Sequence, residues 1–198
     1  MLEWPAGIIL AAGESSRMGA DKALLAYQGS TFLSRLIELF LPRVSPVVVV
    51  LGHHAEQIRA GLAPRAGLEV VVNPDYRQGQ LSSLQTGLRA LPPECGAALV
   101  TLVDHPAVSE STLRMMIERY RSGSPPLIIP RYQGRRGHPV LFARPLLDEI
   151  LALPVEASAK QVVHAHQHEA VSLDVDDPGV LRDVDTPADY AALLDAHP

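Results

Sequence analysis

The sequence predicts a three-layer α/β fold, a mostly parallel sheet with helices on both faces, from two observations. Short apolar runs alternate regularly with stretches of helical periodicity, and one run, Val47-Val48-Val49-Val50, is apolar without interruption. A strand wetted on one face alternates apolar and polar residues, whereas an unbroken run suits a strand covered on both. The chain has 198 residues and 47 % hydrophobic content, enough for a full core. No linker composition divides it, so one domain over residues 1–198 is expected.

Strands are expected at Gly7–Ala11, Pro46–Leu51, Leu68–Val72, Ala97–Val103 and Leu127–Pro130. Helices are expected between them at Thr31–Leu41, His54–Gly61, Gln80–Leu91 and Ser111–Arg121. The rhythm then breaks at a basic, glycine-containing loop, Arg131–Gly137. A short strand at Val140–Phe142 follows, with helical patches at Pro145–Ala152 and Ser158–His166 and a strand at Glu169–Val175. The last helix, Pro187–Ala196, has strong start signals: Thr186 as N-cap, Pro187 at the first helical position and Asp189 in the first turn.

Seventeen basic side chains against 22 acidic ones give a net charge of −5. That balance argues against a nucleic-acid or anionic-membrane partner, while allowing a locally basic pocket. A single cysteine, Cys95, permits no intrachain disulfide and fits a reducing compartment. The segment Met1-Leu2-Glu3-Trp4-Pro5 carries an acid where a secretion signal carries bases, and no apolar run is long enough to span a bilayer. A cytoplasmic location is expected.

The most informative stretch follows the first strand: Leu10-Ala11-Ala12-Gly13-Glu14-Ser15-Ser16-Arg17-Met18-Gly19-Ala20-Asp21-Lys22. Backbone N–H groups beside Gly13 and Gly19 can approach phosphate oxygens closely, Arg17 offers a bidentate fork, and Lys22 a point charge. The loop is neither GxGxxG nor GxxxxGK[ST]. It points to another way of holding a nucleotide.

Ligands of open parallel sheets bind at the carboxyl ends of strands, and Asp104 ends the run Ala97–Val103 there. A carboxylate so placed can hold Mg²⁺ against phosphate oxygens, with Asp185 as a second ligand. The plainer reading of Asp185 is that Asp183, Asp185 and Asp189 favour the start of the last helix. Asn73-Pro74-Asp75-Tyr76-Arg77-Gln78-Gly79-Gln80-Leu81-Ser82-Ser83-Leu84 opens a helix after a strand, where N–H groups and hydroxyls can read a base or ribose. Read plainly, it is a loop capped by Ser82 or Ser83. His164, His166 and His168 alternate but lack the glutamate of HExxH, and read as a solvated helix end. His53-His54 reads as a strand-to-helix turn, and Cys95 as incidental.

Leu10-Ala11-Ala12-Gly13-x-Ser15-x-Arg17-Met18-Gly19-x-x-Lys22 resembles the signature loop of the MobA-like nucleotidyltransferases, and within them the molybdenum cofactor cytidylyltransferases. The resemblance continues through Asn73-Pro74-Asp75-Tyr76, Gly79-x-x-x-Ser83-Leu84, Asp104-x-Pro106, Gly137-His138-Pro139-Val140 and Asp183-Val184-Asp185-Thr186-Pro187, in family order. It implies a Rossmann-like nucleotidyltransferase fold and Mg²⁺-dependent transfer of CMP from CTP to the terminal phosphate of molybdopterin, with release of pyrophosphate. It implies a nucleotide-binding part over about residues 1–105 and an acceptor-binding part over about 106–198. Leu10, Ala11, Ala12 and Gly13 would then meet base and ribose, and Arg17 and Lys22 the triphosphate. Gly79 and Ser83 match the nucleotide-binding helix start, Asp104 the Mg²⁺ ligand, and Gly137, His138 and Pro139 the acceptor side. A molybdoenzyme that receives the product is an implied partner.

Ala12 bears on base choice, because guanylyltransferase relatives carry Ala-Gly-Gly in place of Ala-Ala-Gly. One added methyl narrows the pocket and favours a pyrimidine, by about 1–3 kcal/mol. His105 departs from the family pattern and reads either as part of a surface turn or as a contact to a substrate phosphate. Arg131, Arg135 and Arg136 form a basic entrance that suits an acceptor phosphate. Three other readings stay open: use of GTP or a sugar-phosphate acceptor, an NAD(P)H oxidoreductase resembling this family, and a non-catalytic protein that delivers the cofactor.

Overall fold

The computed structural model describes residues 4–196. Its first half runs β1 (Ala6–Ala11), the short strands β2 (Ala26–Tyr27) and β3 (Ser30–Thr31), and α1 (Phe32–Phe40), then β4 (Val47–Leu51), α2 (Ala55–Ala60) and β5 (Leu68–Val72). Next come α3 (Gln80–Arg89), β6 (Ala97–Leu102), α4 (Glu110–Gly123), β7 (Leu127–Tyr132), β8 (Arg135–Arg136) and β9 (Val140–Ala143). The chain closes with α5 (Arg144–Ala152), α6 (Lys160–Ala165), β10 (Ala170–Asp174) and α7 (Pro187–Ala196).

The main sheet has the order β10-β7-β9-β6-β1-β4-β5, with β8 paired to β7. β1 lies parallel between β4 and β6, and β10 lies parallel to β7. Only β9 and β8 run against their neighbours. The three-layer, mostly parallel expectation therefore holds.

Strand periodicity divides the core into two layers. Ile9, Val47, Val49 and Leu51 pack with Leu36 and Phe40 of α1, Ile58 of α2 and Leu113 and Met116 of α4. Their neighbours Ile8, Leu10, Val48 and Val50 face the other way, onto Leu84 and Leu88 of α3, Leu146 and Ile150 of α5 and Val162 of α6. This period of two is why the valine run had to be apolar throughout. A smaller cluster of Met18, Tyr27, Phe32, Val184 and Leu193 seats α7 beside the first loop.

Two local readings need correction. The Arg131–Gly137 segment is a hairpin, not a loop: β7 extends to Tyr132 and turns through Gln133 and Gly134, both at positive φ, into β8. Primed turns of this kind match the twist of antiparallel strands. Nor do Ser82 and Ser83 cap α3, whose N-cap is Gly79 at φ +111, a backbone region that favours glycine. Both hydroxyls instead accept hydrogen bonds from Asn73 Nδ2, at 2.9 and 3.0 Å.

Candidate active site

The loop after β1 is organised by Ser15, which sits at φ +52. Its carbonyl accepts the N–H groups of Met18 and Gly19, and its hydroxyl accepts the Lys22 N–H at 3.2 Å. The folded loop thereby turns Lys22 inward. Its ammonium reaches Asp104 Oδ2 at 3.1 Å and Asp185 Oδ1 at 2.5 Å, across 82 and 163 residues of sequence. Arg17 pairs with the other Asp185 oxygen at 2.8 Å from an exposed position. The Lys22 and Arg17 charges hold the Asp185 carboxyl below the usual carboxylate range, the Lys22 hydrogen bond being the largest cause.

Asp185 is free for this role because Thr186 and Asp189 cap the helix reciprocally. Asp189 Oδ2 accepts from the Thr186 hydroxyl at 2.7 Å and the Thr186 N–H at 2.8 Å, and Thr186 Oγ1 accepts the Asp189 N–H. Asp189 also accepts the Asp185 N–H at 3.2 Å, fixing the backbone from which the Asp185 side chain projects. The helix-start reading thus applies to Asp189 and not to Asp185.

These groups line a cleft of about 340 Å³ at the carboxyl ends of β1 and β6. Leu10, Ala12, Gly13, Arg17 and Lys22 form one side, and Gly79, Ser83, Asp104 and Asp185 the others. Ala11, expected to meet base and ribose, does not line the cleft, since its side chain belongs to the core layer of Ile9 and Leu51. Tyr76 and Gln80 also line the cleft. Both fall inside the Asn73–Leu84 motif, where the sequence singles out Gly79 and Ser83 and gives no separate signal for these two. Gly52 is needed close by: a Cβ there would stand 2.6 Å from both Ala12 O and Tyr76 Cβ.

The donor set fits a hard divalent cation. Two carboxylates converge, Asp104 Oδ1 is buried without a hydrogen-bond partner, and an ammonium stands between the two groups as a cation would.

His138 lies outside this cleft, in a second cavity of about 400 Å³. That cavity is walled by Leu81, Leu84, Val100, Ile129 and Phe142, with Arg136 and Lys160 among its polar lining. The two cavities share Leu10, Gln80 and Leu102. β9 runs antiparallel to β6, so its preceding loop, Gly137 to Pro139, arrives at the same sheet edge as Asp104. Of the basic entrance, Arg131 is taken up by a bidentate pair with Asp174, at 2.7 Å for both bonds. Only Arg136 reaches the cavity lining.

His105 is buried, which overturns its reading as part of a surface turn. Its ring lies 4.9 Å from that of His138, centroid to centroid. Burial lowers the basicity of both rings, and that of His138, with the His105 ring beside it, falls to about 4. Native His138 thus stays neutral where the unfolded chain takes up a proton, near pH 6.5. The unfolded state binds more protons in that window, so His138 makes stability fall as pH drops from about 6.5 to 4. The loss is at most about 3 kcal/mol, since the ring keeps a partly exposed edge. Urea unfolding at pH 7 and 4.5 should show a smaller acid loss in His138→Gln than in the parent. Equal losses would contradict a neutral His138.

Among the other histidines, His166 bonds Glu169 and Glu149 at about 3 Å, which raises its basicity. Buried Cys95 donates to Ala97 O. Among the described residues no helix is long and apolar enough to cross a membrane.

Known proteins resemble this chain in sequence and fold. The chain is 29 % identical over 183 residues to the molybdenum cofactor cytidylyltransferase of Escherichia coli K12, covering 92 % of each chain. It is 32 % identical over 199 residues to the nicotine blue oxidoreductase of Paenarthrobacter nicotinovorans, covering 95 % of each. The crystal structure of Rv0371c from Mycobacterium tuberculosis H37Rv superposes with a TM-score of 0.83 at 30 % identity, covering 97 % of this chain and 98 % of that one. A complex of the same protein with manganese gives 0.79 at 29 % identity, covering 98 % and 99 %. The model of the MobA-like NTP transferase domain matches residues 7–171. That match takes in β1 with the loop after it and β6 with Asp104, and the chain belongs to the MobA-like NTP transferase family, as an enzyme of the nucleotidyltransferase class.

Proposed function

We propose that this enzyme transfers CMP from CTP to the terminal phosphate of molybdopterin and releases pyrophosphate. One observation carries the reading: a charged cleft and an apolar cavity lie side by side, with Leu10, Gln80 and Leu102 lining both. A nucleoside triphosphate suits the first, and a fused-ring acceptor bearing a phosphate suits the second. The full-length likeness to a cytidylyltransferase supports the same pair of substrates.

An acceptor phosphate oxygen attacks the α-phosphorus of CTP. The new P–O bond forms as the bridging P–O bond to the β-phosphate breaks, and pyrophosphate leaves with the electron pair. A phosphate monoester is already ionised at neutral pH, so no general base is needed. Lys22 and Arg17 hold the triphosphate in line and neutralise charge that builds on its oxygens. Ser15 keeps Lys22 turned into the cleft, and His138 lines the apolar cavity beside it. Asp104 and Asp185 would hold Mg²⁺, which when bound supplies further neutralisation of the phosphate oxygens. The manganese complex of the Mycobacterium tuberculosis relative supports a divalent ion in this role.

Ala12 sets the base preference in this reading. It lines the cleft, and its carbonyl is fixed by the His53 N–H at 3.1 Å, so the methyl cannot retreat. Pyrophosphate release measured across the four nucleoside triphosphates, with a phosphorylated pterin acceptor, should be fastest with CTP. In Ala12→Gly the ratio of CTP to GTP rates should fall by about tenfold or more. An unchanged ratio would remove Ala12 from base selection, and no release with any triphosphate would end the reading. The likeness to nicotine blue oxidoreductase favours a second reading, which NAD(P)H oxidation without any triphosphate would support.

A further inference from the structure

Among the described residues, one group of three metal-ligating side chains gathers outside the Asp104–Asp185 pair: Asp21, His53 and His54, whose ligand atoms all lie within 4.8 Å of one another. His54 Nδ1 stands 2.9 Å from Asp21 Oδ2, and the two imidazole rings lie 3.7 Å apart, centroid to centroid. The Asp21 side chain is 13 % exposed, sequestered for a carboxylate that no lysine or arginine pairs. His54 holds a left-handed backbone at φ +48, and this brings its ring back over Asp21 and beside His53. A single His–Asp hydrogen bond accounts for His54 alone. It does not account for His53, which brings a ring nitrogen within 4.8 Å of the same carboxylate.

We propose that Asp21, His53 and His54 bind a borderline transition-metal ion, Zn²⁺ being the best match, which ties the nucleotide loop to the turn after β4. Two imidazole nitrogens and one carboxylate oxygen form a nitrogen-rich donor set that suits Zn²⁺, whereas Mg²⁺ selects oxygen alone. Three protein ligands leave a fourth position for water. Ligand atoms around such an ion stand about 3.4 Å apart, given bonds of about 2.0–2.1 Å, so small side-chain rotations close the site. Both ends of the loop are then pinned. Asp21 directly precedes Lys22, and the His53 N–H already holds Ala12 O at the loop's start. The His53 ring also faces Tyr76 Oη at 3.3 Å, so the ion would sit behind the cleft wall and away from the phosphates. The site is independent of which nucleotide or acceptor the enzyme uses.

The test is calorimetric titration of chelator-stripped protein with Zn²⁺ in millimolar Mg²⁺, which occupies oxygen-ligand sites. One Zn²⁺ per chain is expected. His54→Asn, whose side chain tolerates the left-handed backbone, and His53→Gln should each weaken binding by more than about 100-fold, beyond the loss from a merely supporting residue. Co²⁺ in place of Zn²⁺ should give visible d–d bands that vanish in the same variants. His164→Gln combined with His168→Gln should leave both readouts unchanged. Far-UV circular dichroism without metal checks folding, and Asp21→Asn replaces either variant that fails it. Absence of stoichiometric binding, binding that survives in His54→Asn and His53→Gln, or binding lost with His164 and His168 would each overturn the site.

Discussion

Replacing Asp104 with Asn is expected to slow pyrophosphate release by roughly a hundredfold to a thousandfold, the range seen when one preorganised electrostatic partner is removed. The substitution keeps the shape of the side chain and removes its charge. Asp104 Oδ2 is bonded to Lys22, and Oδ1 is buried with no partner, so the lost charge bears on the ligand and little on packing. The Asp104 carbonyl, which accepts the Val184 N–H at 3.0 Å, is untouched. The unfolding temperature should therefore change little while turnover collapses. A fall in kcat with a retained melting profile is the expected signature. Full turnover in Asp104→Asn would exclude this carboxylate from the catalytic site.

The largest stability effect is expected from Asp177→Ala. This carboxylate is buried at 5 % exposure and satisfies three donors: the Ser109 N–H at 2.8 Å, the Thr112 hydroxyl at 2.7 Å and the Gly179 N–H at 2.8 Å. Its turn, residues 178–181, is wedged against the loops that carry the site. A Cβ on Gly179 would stand 2.2 Å from Ala107 O, and one on Gly137 would stand 2.0 Å from Val180 O. Val180 O also accepts the His138 N–H at 2.9 Å. Truncating Asp177 strands buried donors at about 1 kcal/mol or more each, a loss of about 3 kcal/mol in all. For a chain of this length that corresponds to roughly 6–12 °C in unfolding temperature. Scanning calorimetry or urea unfolding measures it, and a loss under about 1 kcal/mol would show that water replaces the carboxylate freely.

Asp177 also marks the boundary of what the sequence discloses. Features written in adjacent residues were legible there. The valine run declared a twice-covered strand, Thr186-Pro187-Ala188-Asp189 declared a helix start, and the loop from Leu10 to Lys22 declared residues that line the charged cleft. Features formed by distant residues were not. Nothing near Asp177 announces that Ser109 and Thr112 will need it, 68 and 65 residues earlier in the chain. Asp21 and the two histidines lie 32 and 33 residues apart, and only the pairing of β1 with β4 brings their turns to one edge. The reversed direction of β9 is equally silent in Val140-Leu141-Phe142, since a short apolar strand reads the same both ways. The hairpin at Gln133-Gly134 did leave a trace, a glycine between two polar strand ends, but one weaker than an Asn-Gly turn. The burial of His105 left none.

The ammonium of Lys22 between Asp104 and Asp185 has one more consequence. Lys22 and Arg17 compensate the two carboxylates, so without a nucleotide the cleft is expected to exert little pull on free divalent ions. In the proposed reaction, Lys22 would give up its two carboxylates for the polyphosphate, and the place between Asp104 and Asp185 would pass to the divalent ion. In the proposed reaction, ion and nucleotide would therefore bind as coupled ligands, and thermodynamic reciprocity would have each raise the other's affinity by the same factor. The lysine acts as a placeholder that keeps the site from filling out of turn.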